Sequence, residues 1–256
     1  MSVLSRRRRP APAAAGFTLT ELALVLVIVS LLVGSLLLPL STQVELRNVS
    51  ETRKLLAEVR EALLGYAVVN GRLPCPASAT TVSGTPGAGI ETPLNATGAC
   101  PNAAGVVPWA TLGVSETDAW GRRLTYRVTP VFAQCVPPPS FVASGTPCIS
   151  PSVSFGLNSL GNIDVLTTGG TVIATAVPAI VVSHGRNGNG AFTPQGTQRP
   201  VGVDADELDN QLTAAGTNTA NFNFVSRTPG DAFDDEVMWL TPGVLFNRMI
   251  SALRLP

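Results

Sequence analysis

Ser183 and His184, the chain's single histidine, stand side by side, the residue types from which a hydrolase nucleophile and its base are built. Neighbours on a glycine-rich turn (Gly185-Arg186-Asn187-Gly188) rarely face one another, and no G-x-S-x-G elbow surrounds the serine. A loop histidine with structural partners is the expectation. Asn187-Gly188-Asn189-Gly190 repeats glycine but lacks the Gly-Lys-Ser/Thr of a phosphate-binding loop. Two acidic clusters, Asp204-Ala205-Asp206-Glu207-Leu208-Asp209 and Asp231, Asp234, Asp235 and Glu236, offer the hard oxygen atoms that a divalent cation takes. Neither follows an EF-hand loop, since Leu208 falls where an oxygen donor is needed and Asp209 replaces the glycine. Asp204, Asp206, Asp209, Asp234 and Asp235 are metal candidates by residue type alone; solvated loop carboxylates and helix N-caps are the simpler expectation. No catalytic constellation emerges, and an enzyme is not expected.

Cys75, Cys100, Cys135 and Cys148 lack any C-x-x-C spacing, and His184 is remote from them in sequence, which argues against zinc. Four cysteines allow three disulfide connectivities. Pairing of neighbours, Cys75–Cys100 and Cys135–Cys148, would staple two loop-rich stretches, each contributing about 3 kcal/mol in a chain-entropy estimate. Such usage fits an oxidising compartment.

The acid that stands out is Glu21. It opens an apolar run from Leu22 to Leu40, in which Ser30 and Ser35 are the only polar side chains up to Leu38. A helix from Phe17 to Leu40 would extend about 36 Å, enough for a hydrocarbon core of about 30 Å. An acid in mid-membrane costs roughly 2.5–3.5 kcal/mol, so a partner is expected. Before the run come Arg6, Arg7, Arg8 and Arg9 and then a small-residue tract, Pro10 to Gly16. A secretory signal carries its cleavage site after the apolar region; here the small residues precede it. A cut after Gly16 would remove the arginines and keep the helix. Positive flanks stay cytoplasmic, which directs everything after the run across the inner membrane.

Gly16-Phe17-Thr18-Leu19-x-Glu21 resembles the processing site of type IV prepilins and of the pseudopilins of type II secretion systems. The resemblance implies a prepilin peptidase that cuts after Gly16 and N-methylates Phe17. It also implies that Glu21 pairs with the amino terminus of a neighbouring subunit as helices bundle into a filament. Pro39 falls near, but not at, the offset of the proline that kinks many pilins. Asp118-Ala119-Trp120-Gly121-Arg122-Arg123-Leu124-Thr125-Tyr126 resembles the D-x-W-G-x-x-(Y/L)-x-Y segment of major pseudopilins, and Ser183 to Gly188 is similar to the serine-glycine turn that follows there. By that likeness the strand after the turn joins a small antiparallel sheet packed on the long helix, and a C-terminal loop carries calcium. The implied function is a structural subunit of a type IV pilus or secretion pseudopilus. Its partners would be prepilin peptidase, other pilin or pseudopilin subunits and the bacterial inner membrane, crossed once with the head in the periplasm. Long loops in the head leave a filament-tip adhesin or surface-binding module as an alternative, with a membrane-anchored enzyme behind it.

Composition agrees with a membrane and exported protein rather than a nucleic-acid binder. The 256 residues carry 17 basic and 17 acidic side chains; without the four leader arginines 13 remain against 17, a net −4. From Gly71 onward nine arginines face twelve acids, a poor footprint for nucleic acid. Lys54 is the only lysine.

The elements that must position these residues follow from periodicity. Leu55, Leu56, Val59, Ala62, Leu63, Tyr66 and Ala67 recur at helical spacing, opposite Glu45, Arg47, Glu51, Arg53, Lys54, Glu58, Arg60 and Glu61. The membrane helix is therefore expected to continue, bent near Pro39, as an amphipathic helix about 80 Å long in all that packs under a head and stops at Asn70-Gly71. The domains read as a leader (1–16), the helix (17–70) and the head (71–256). Strands are expected at Val106–Leu112, Leu124–Phe132, Val153–Leu157, Val172–Ser183, Phe222–Ser226 and Val237–Leu240, with Pro178 marking an edge or a break. Ala77–Asn95 and Pro137–Pro151 read as loops, and Val244–Leu253 as a short helix. Arg122, Arg123 and Arg127 suggest a solvated strand or a subunit contact. The fold class is α+β and pilin-like.

Overall fold

The computed structural model describes residues 16–134, 153–213, 222–230 and 232–255, leaving aside the side chains of 35–41. It divides into two compact units, Met1–Leu46 and Arg47–Pro256. The expected pairing of Cys135 with Cys148, the loop Pro137–Pro151 and Asp231 lie outside the described residues.

Helix α1 (Leu19–Asn70) begins in the first unit with a capping box. The Thr18 hydroxyl oxygen accepts from the Glu21 backbone N–H at 3.3 Å, and one Glu21 carboxylate oxygen accepts from the Thr18 N–H and hydroxyl, both at 2.9 Å. The large apolar side chains from Phe17 to Val33 are all exposed. Among the described residues no helix is long and apolar enough to cross a membrane. Leu19 to Gly34 is 16 residues, about 24 Å of rise, and the rest of the apolar run falls on the side chains of 35–41. The helical backbone continues through Pro39.

In the second unit the character of α1 changes as its spacing predicts. Leu55, Leu56, Val59, Leu63, Leu64 and Ala67 are buried against Tyr126, Val128, Val181, Leu240, Leu245 and Met249. The helix ends where Gly71 takes a φ of 69° and its N–H reaches the Ala67 carbonyl at 2.8 Å.

Four antiparallel strands form the sheet under this helix, in the order β1 (Ala104–Val106), β2 (Thr125–Val128), β5 (Ala179–Ser183) and β7 (Glu236–Leu240). Tyr126 stands opposite Val181, and Val181 opposite Met238. Strand β5 is apolar at successive positions because both its faces are covered. Ala179 and Val181 meet α1's core, while Ile180 and Val182 meet a second sheet. That sheet has the order β4 (Val172–Val177), β3 (Ile163–Leu166) and β6 (Asn223–Val225), antiparallel between β3 and β4 and parallel between β3 and β6. Ile163, Val165, Val177 and Phe224 fill the space between the sheets. Helix α4 (Pro242–Ser251) closes the core, and Arg248 on it pairs with Glu61 of α1. The fold is thus α+β around a small antiparallel sheet.

Several boundaries differ from the expectation. The run Val106–Leu112 is a strand only at its start; after Pro108 it becomes the single helical turn α2 (Trp109–Leu112), stopped by Gly113 at a φ of 70°. Leu124–Phe132 ends as a strand at Val128, since Pro130 starts a 3-10 turn. Val153–Leu157 forms no strand; Ser154 instead donates its N–H to the Gly71 carbonyl. Pro178 breaks the expected Val172–Ser183 strand into β4 and β5. Arg123 and Arg127 are not solvated. They are 0 % and 1 % exposed, with their guanidinium carbons over Trp109 and Phe222 at 4.7 and 4.5 Å, so neither is a subunit contact.

Cys75 and Cys100 are bonded, their Cα atoms 5.5 Å apart. Inside the loop they close, Glu91 accepts hydrogen bonds from Tyr66 Oη at 2.5 Å, from both terminal nitrogens of Arg72 at 2.9 and 3.0 Å, and from the Cys75 N–H at 3.1 Å. One carboxylate thereby fastens the disulfide loop to the end of α1. Burial pushes the Tyr66 hydroxyl well up, so the tyrosine donates at any physiological pH.

Candidate functional site

Two groups of residues carry the functional expectations. The first is Gly16, Phe17 and Glu21. Gly16 to Thr18 have no regular secondary structure and Phe17 is 85 % exposed, so the Gly16–Phe17 bond lies in open chain immediately before the helix. A peptidase needs such a non-helical, reachable bond. Glu21 sits in the first turn of α1, where free N–H groups and the positive end of the helix dipole favour a carboxylate.

The second group gathers at the edge of the sheet where β5 ends and β2 and β7 begin. Asp118 is its tie. One carboxylate oxygen accepts from the Trp120 and Arg122 N–H groups at 3.0 and 2.9 Å, and the other accepts from the Ser183 hydroxyl at 2.7 Å. The chain reverses at Gly121 with a φ of 76°. This explains the aspartate and glycine of the D-x-W-G segment: the acid nucleates the turn and fixes it to β5. Leu124 and Tyr126 join the same core.

Ser183 and His184 do not meet as nucleophile and base. Ser183 is held by Asp118, whereas the His184 ring, fully buried, shares a 2.8 Å hydrogen bond between Nε2 and Thr125 Oγ1. Its Nδ1 lies 3.6 Å from Asp235 Oδ1. The histidine is thus tied to β2 through Nε2, while its Nδ1 is buried facing Asp235 with no hydrogen-bond partner.

Of the five metal candidates the structure brings together only Asp234 and Asp235, and it adds Glu207, which residue type alone did not single out. Asp204 caps the short helix α3 (Ala205–Asp209), and it and Asp206 pair with Arg227 at 2.8 and 3.0 Å. Asp209 lies outside the cluster, its carboxyl raised by burial and by Asp206. Carboxylate oxygens of Glu207, Asp234 and Asp235 approach within 4.8 Å of one another. Glu207 accepts from the Asn187 and Asn189 amides at 2.5 and 2.9 Å, and Asp235 accepts from the Asn210 amide at 2.8 Å. One Asp234 oxygen accepts from the Asn187 N–H at 2.8 Å, while its Oδ1 is buried without a hydrogen-bond partner. The Gly185 and Arg186 carbonyls accept from Arg122. A Cβ on Gly188 would overlap that guanidinium.

Calcium takes six to eight oxygen ligands at about 2.3–2.6 Å. Here amide groups already engage both Glu207 oxygens and one oxygen each of Asp234 and Asp235, while Asp234 Oδ1 is buried without a partner, which is short of the oxygen count of a calcium cage. Thermal unfolding with millimolar calcium or with chelator is expected to give melting temperatures within about 1 °C of each other; a rise of several degrees with calcium would contradict this arrangement.

Burial pushes the Asp234 carboxyl up from 3.8 to about 6, with the charges of Asp235 and Glu207 adding to the rise and the Asn187 and Arg186 N–H groups opposing it. The folded chain therefore holds this proton between about pH 4 and pH 6, where the unfolded chain has released it. The contribution to stability is highest below pH 4 and declines as pH rises through 6. Asp234→Asn keeps the shape without the charge. It is expected to add about 1 kcal/mol at pH 7.5, a figure reduced for partial exposure, and nothing at pH 4. Thermal melts at the two pH values check both halves.

Glu207 accepts from both the Asn187 and Asn189 amides, which flank Gly188; the acidic run Asp204–Asp209 contains it, but spacing along the chain does not distinguish it from its neighbours. No family model, curated protein or solved structure matches the chain.

Proposed function

We propose that this chain is a pilin-like structural subunit of a type IV pilus or a type II secretion pseudopilus, cut after Gly16, N-methylated on Phe17 and assembled through α1. The observation that carries this reading is the division of labour along one helix. Its first residues follow an open Gly-Phe bond and place Glu21 in the first turn. Its next turns expose apolar side chains on every face, and its last turns bury a single stripe in the head. A helix apolar all round requires lipid or other helices around it. Within the filament reading both are supplied: the inner membrane before assembly, neighbouring copies of α1 afterwards. The segment through Leu40 crosses the membrane once, with Arg6 to Arg9 on the cytoplasmic side and the disulfide-bonded head in the periplasm.

The proposal is tested by producing the chain in a bacterium that carries a type IV pilus or type II secretion machinery. Filaments sheared from the cells are expected to contain it, and Gly16→Asp, which blocks the cut, is expected to leave it unprocessed in the membrane. Recovery of the chain only as a membrane monomer, processed or not, contradicts the reading.

A further inference from the structure

The turn at residues 185–189 leads out of β5 and is held by fixed charges of both signs. The cation is Arg122. Its Nη1 donates to the Gly185 carbonyl, and its Nη2 donates to the Arg186 carbonyl at 2.7 Å. The anions are Asp234, which accepts from the Asn187 N–H at 2.8 Å, and Glu207, which accepts from the Asn187 and Asn189 amides at 2.5 and 2.9 Å. Two carbonyls of the turn thus face the positive group while its donors face the negative ones, the orientation that dipoles take in such a field. Two glycines admit this approach: a Cβ on Gly188 would overlap the guanidinium, and a Cβ on Gly185 would overlap Asp234. Asp118 places the arginine itself by accepting its backbone N–H at 2.9 Å. Burial lowers the Arg122 pKa, against the charges of Asp118 and Asp234, so both acids lie within reach of its charge.

We propose that Arg122 is the built-in cation of this turn, a positioning residue whose guanidinium holds the backbone where the likeness to pseudopilins implied a calcium ion. A divalent cation fastens a loop by drawing carbonyl and carboxylate oxygens to one positive centre. Here the positive centre belongs to the chain. It is planar, and its two terminal nitrogens are spread so that successive carbonyls each meet a donor. The acids are left to the amides of Asn187 and Asn189, which is why the oxygens free for a metal ion are too few. Lysine is no substitute, because an ammonium is a compact point charge without the fork. The inference concerns the head alone and does not depend on the filament reading.

The full chain carrying Arg122→Ala is expected to melt about 4–8 °C below the parent, since two charge-assisted hydrogen bonds are lost. Hydrogen exchange at the Asn187 and Gly188 N–H groups, which close the turn on Asp234 and on the His184 carbonyl, should quicken at least tenfold. Millimolar methylguanidinium, too dilute to denature, is expected to restore at least half of the lost melting temperature to the variant and to leave the parent unmoved. Millimolar calcium should restore none of it. An alanine variant that melts with the parent, one that methylguanidinium does not restore, or one that calcium restores would overturn the assignment. Arg122→Lys carries the test if the alanine variant does not fold. It is expected to melt below the parent with the same two amides exchanging faster, and a lysine variant indistinguishable from the parent would overturn the assignment equally.

Discussion

Glu21→Leu is expected to insert into the membrane as well as the parent chain and to enter filaments at least tenfold less. Insertion should become easier, because the substitution removes an acid that costs roughly 2.5–3.5 kcal/mol in mid-membrane. Among the described residues of its own subunit the carboxylate accepts from Thr18, in the capping box, and losing that cap costs about 1 kcal/mol of helix stability. A fraying first turn does not account for a tenfold loss of assembly. On the proposed reading, an ammonium on Phe17 of a neighbour, in a setting of low dielectric, accounts for that loss. Glu21→Gln separates the two roles, since it keeps a cap and loses the charge. It is expected to assemble as poorly as leucine; a glutamine variant that assembles normally would reduce Glu21 to a helix cap.

Glu91→Ala should lower stability by about 3 kcal/mol, roughly 6–12 °C in melting temperature for a head of this size. Its side chain is 20 % exposed and that of Arg72 is 8 %, so removing the carboxylate leaves a guanidinium buried with its main counter-charge gone. Tyr66 and the Cys75 N–H lose an acceptor at the same time. Reducing Cys75–Cys100 releases the same loop and is expected to cost a similar amount. Because the disulfide closes the loop 75–100 and Glu91 inside it ties that loop to the end of α1, the two share one segment and the double perturbation should fall short of the sum of the two. Urea unfolding of the parent, the Glu91→Ala variant and each after reduction gives the comparison, and strict additivity would show that the two ties act independently.

Periodicity made α1 legible, because one apolar stripe at helical spacing packs on one surface. Pro178 likewise announced the end of β4. What stayed hidden depends on distant partners. Strand β3 is four residues between glycine-rich turns, and its parallel partner β6 lies some 60 residues away. The alternation of Arg123, Leu124, Thr125, Tyr126 and Arg127 shows that the arginines share a face, and a face of arginines reads as solvent. It is dry because Trp109 and Phe222, remote in sequence, cover it. The run Val106–Leu112 has a strand's composition, but Pro108 and Gly113 impose a turn of helix. The D-x-W-G turn was readable as a motif, whereas the joining of Glu207 to Asp234 and Asp235 depends on how α3 and the residues just before β7 come together, which spacing along the chain does not encode.

On the proposed reading the chain is cut between Gly16 and Phe17 and begins its working life at the phenylalanine. Mass spectrometry of the N-terminal peptide, from protein purified out of the membrane of a prepilin-peptidase-bearing host, reads this directly. The expected first residue is Phe17 bearing one methyl group on its amine. A mature protein that retains Arg6 to Arg9, or that starts at any residue after the apolar run, contradicts it.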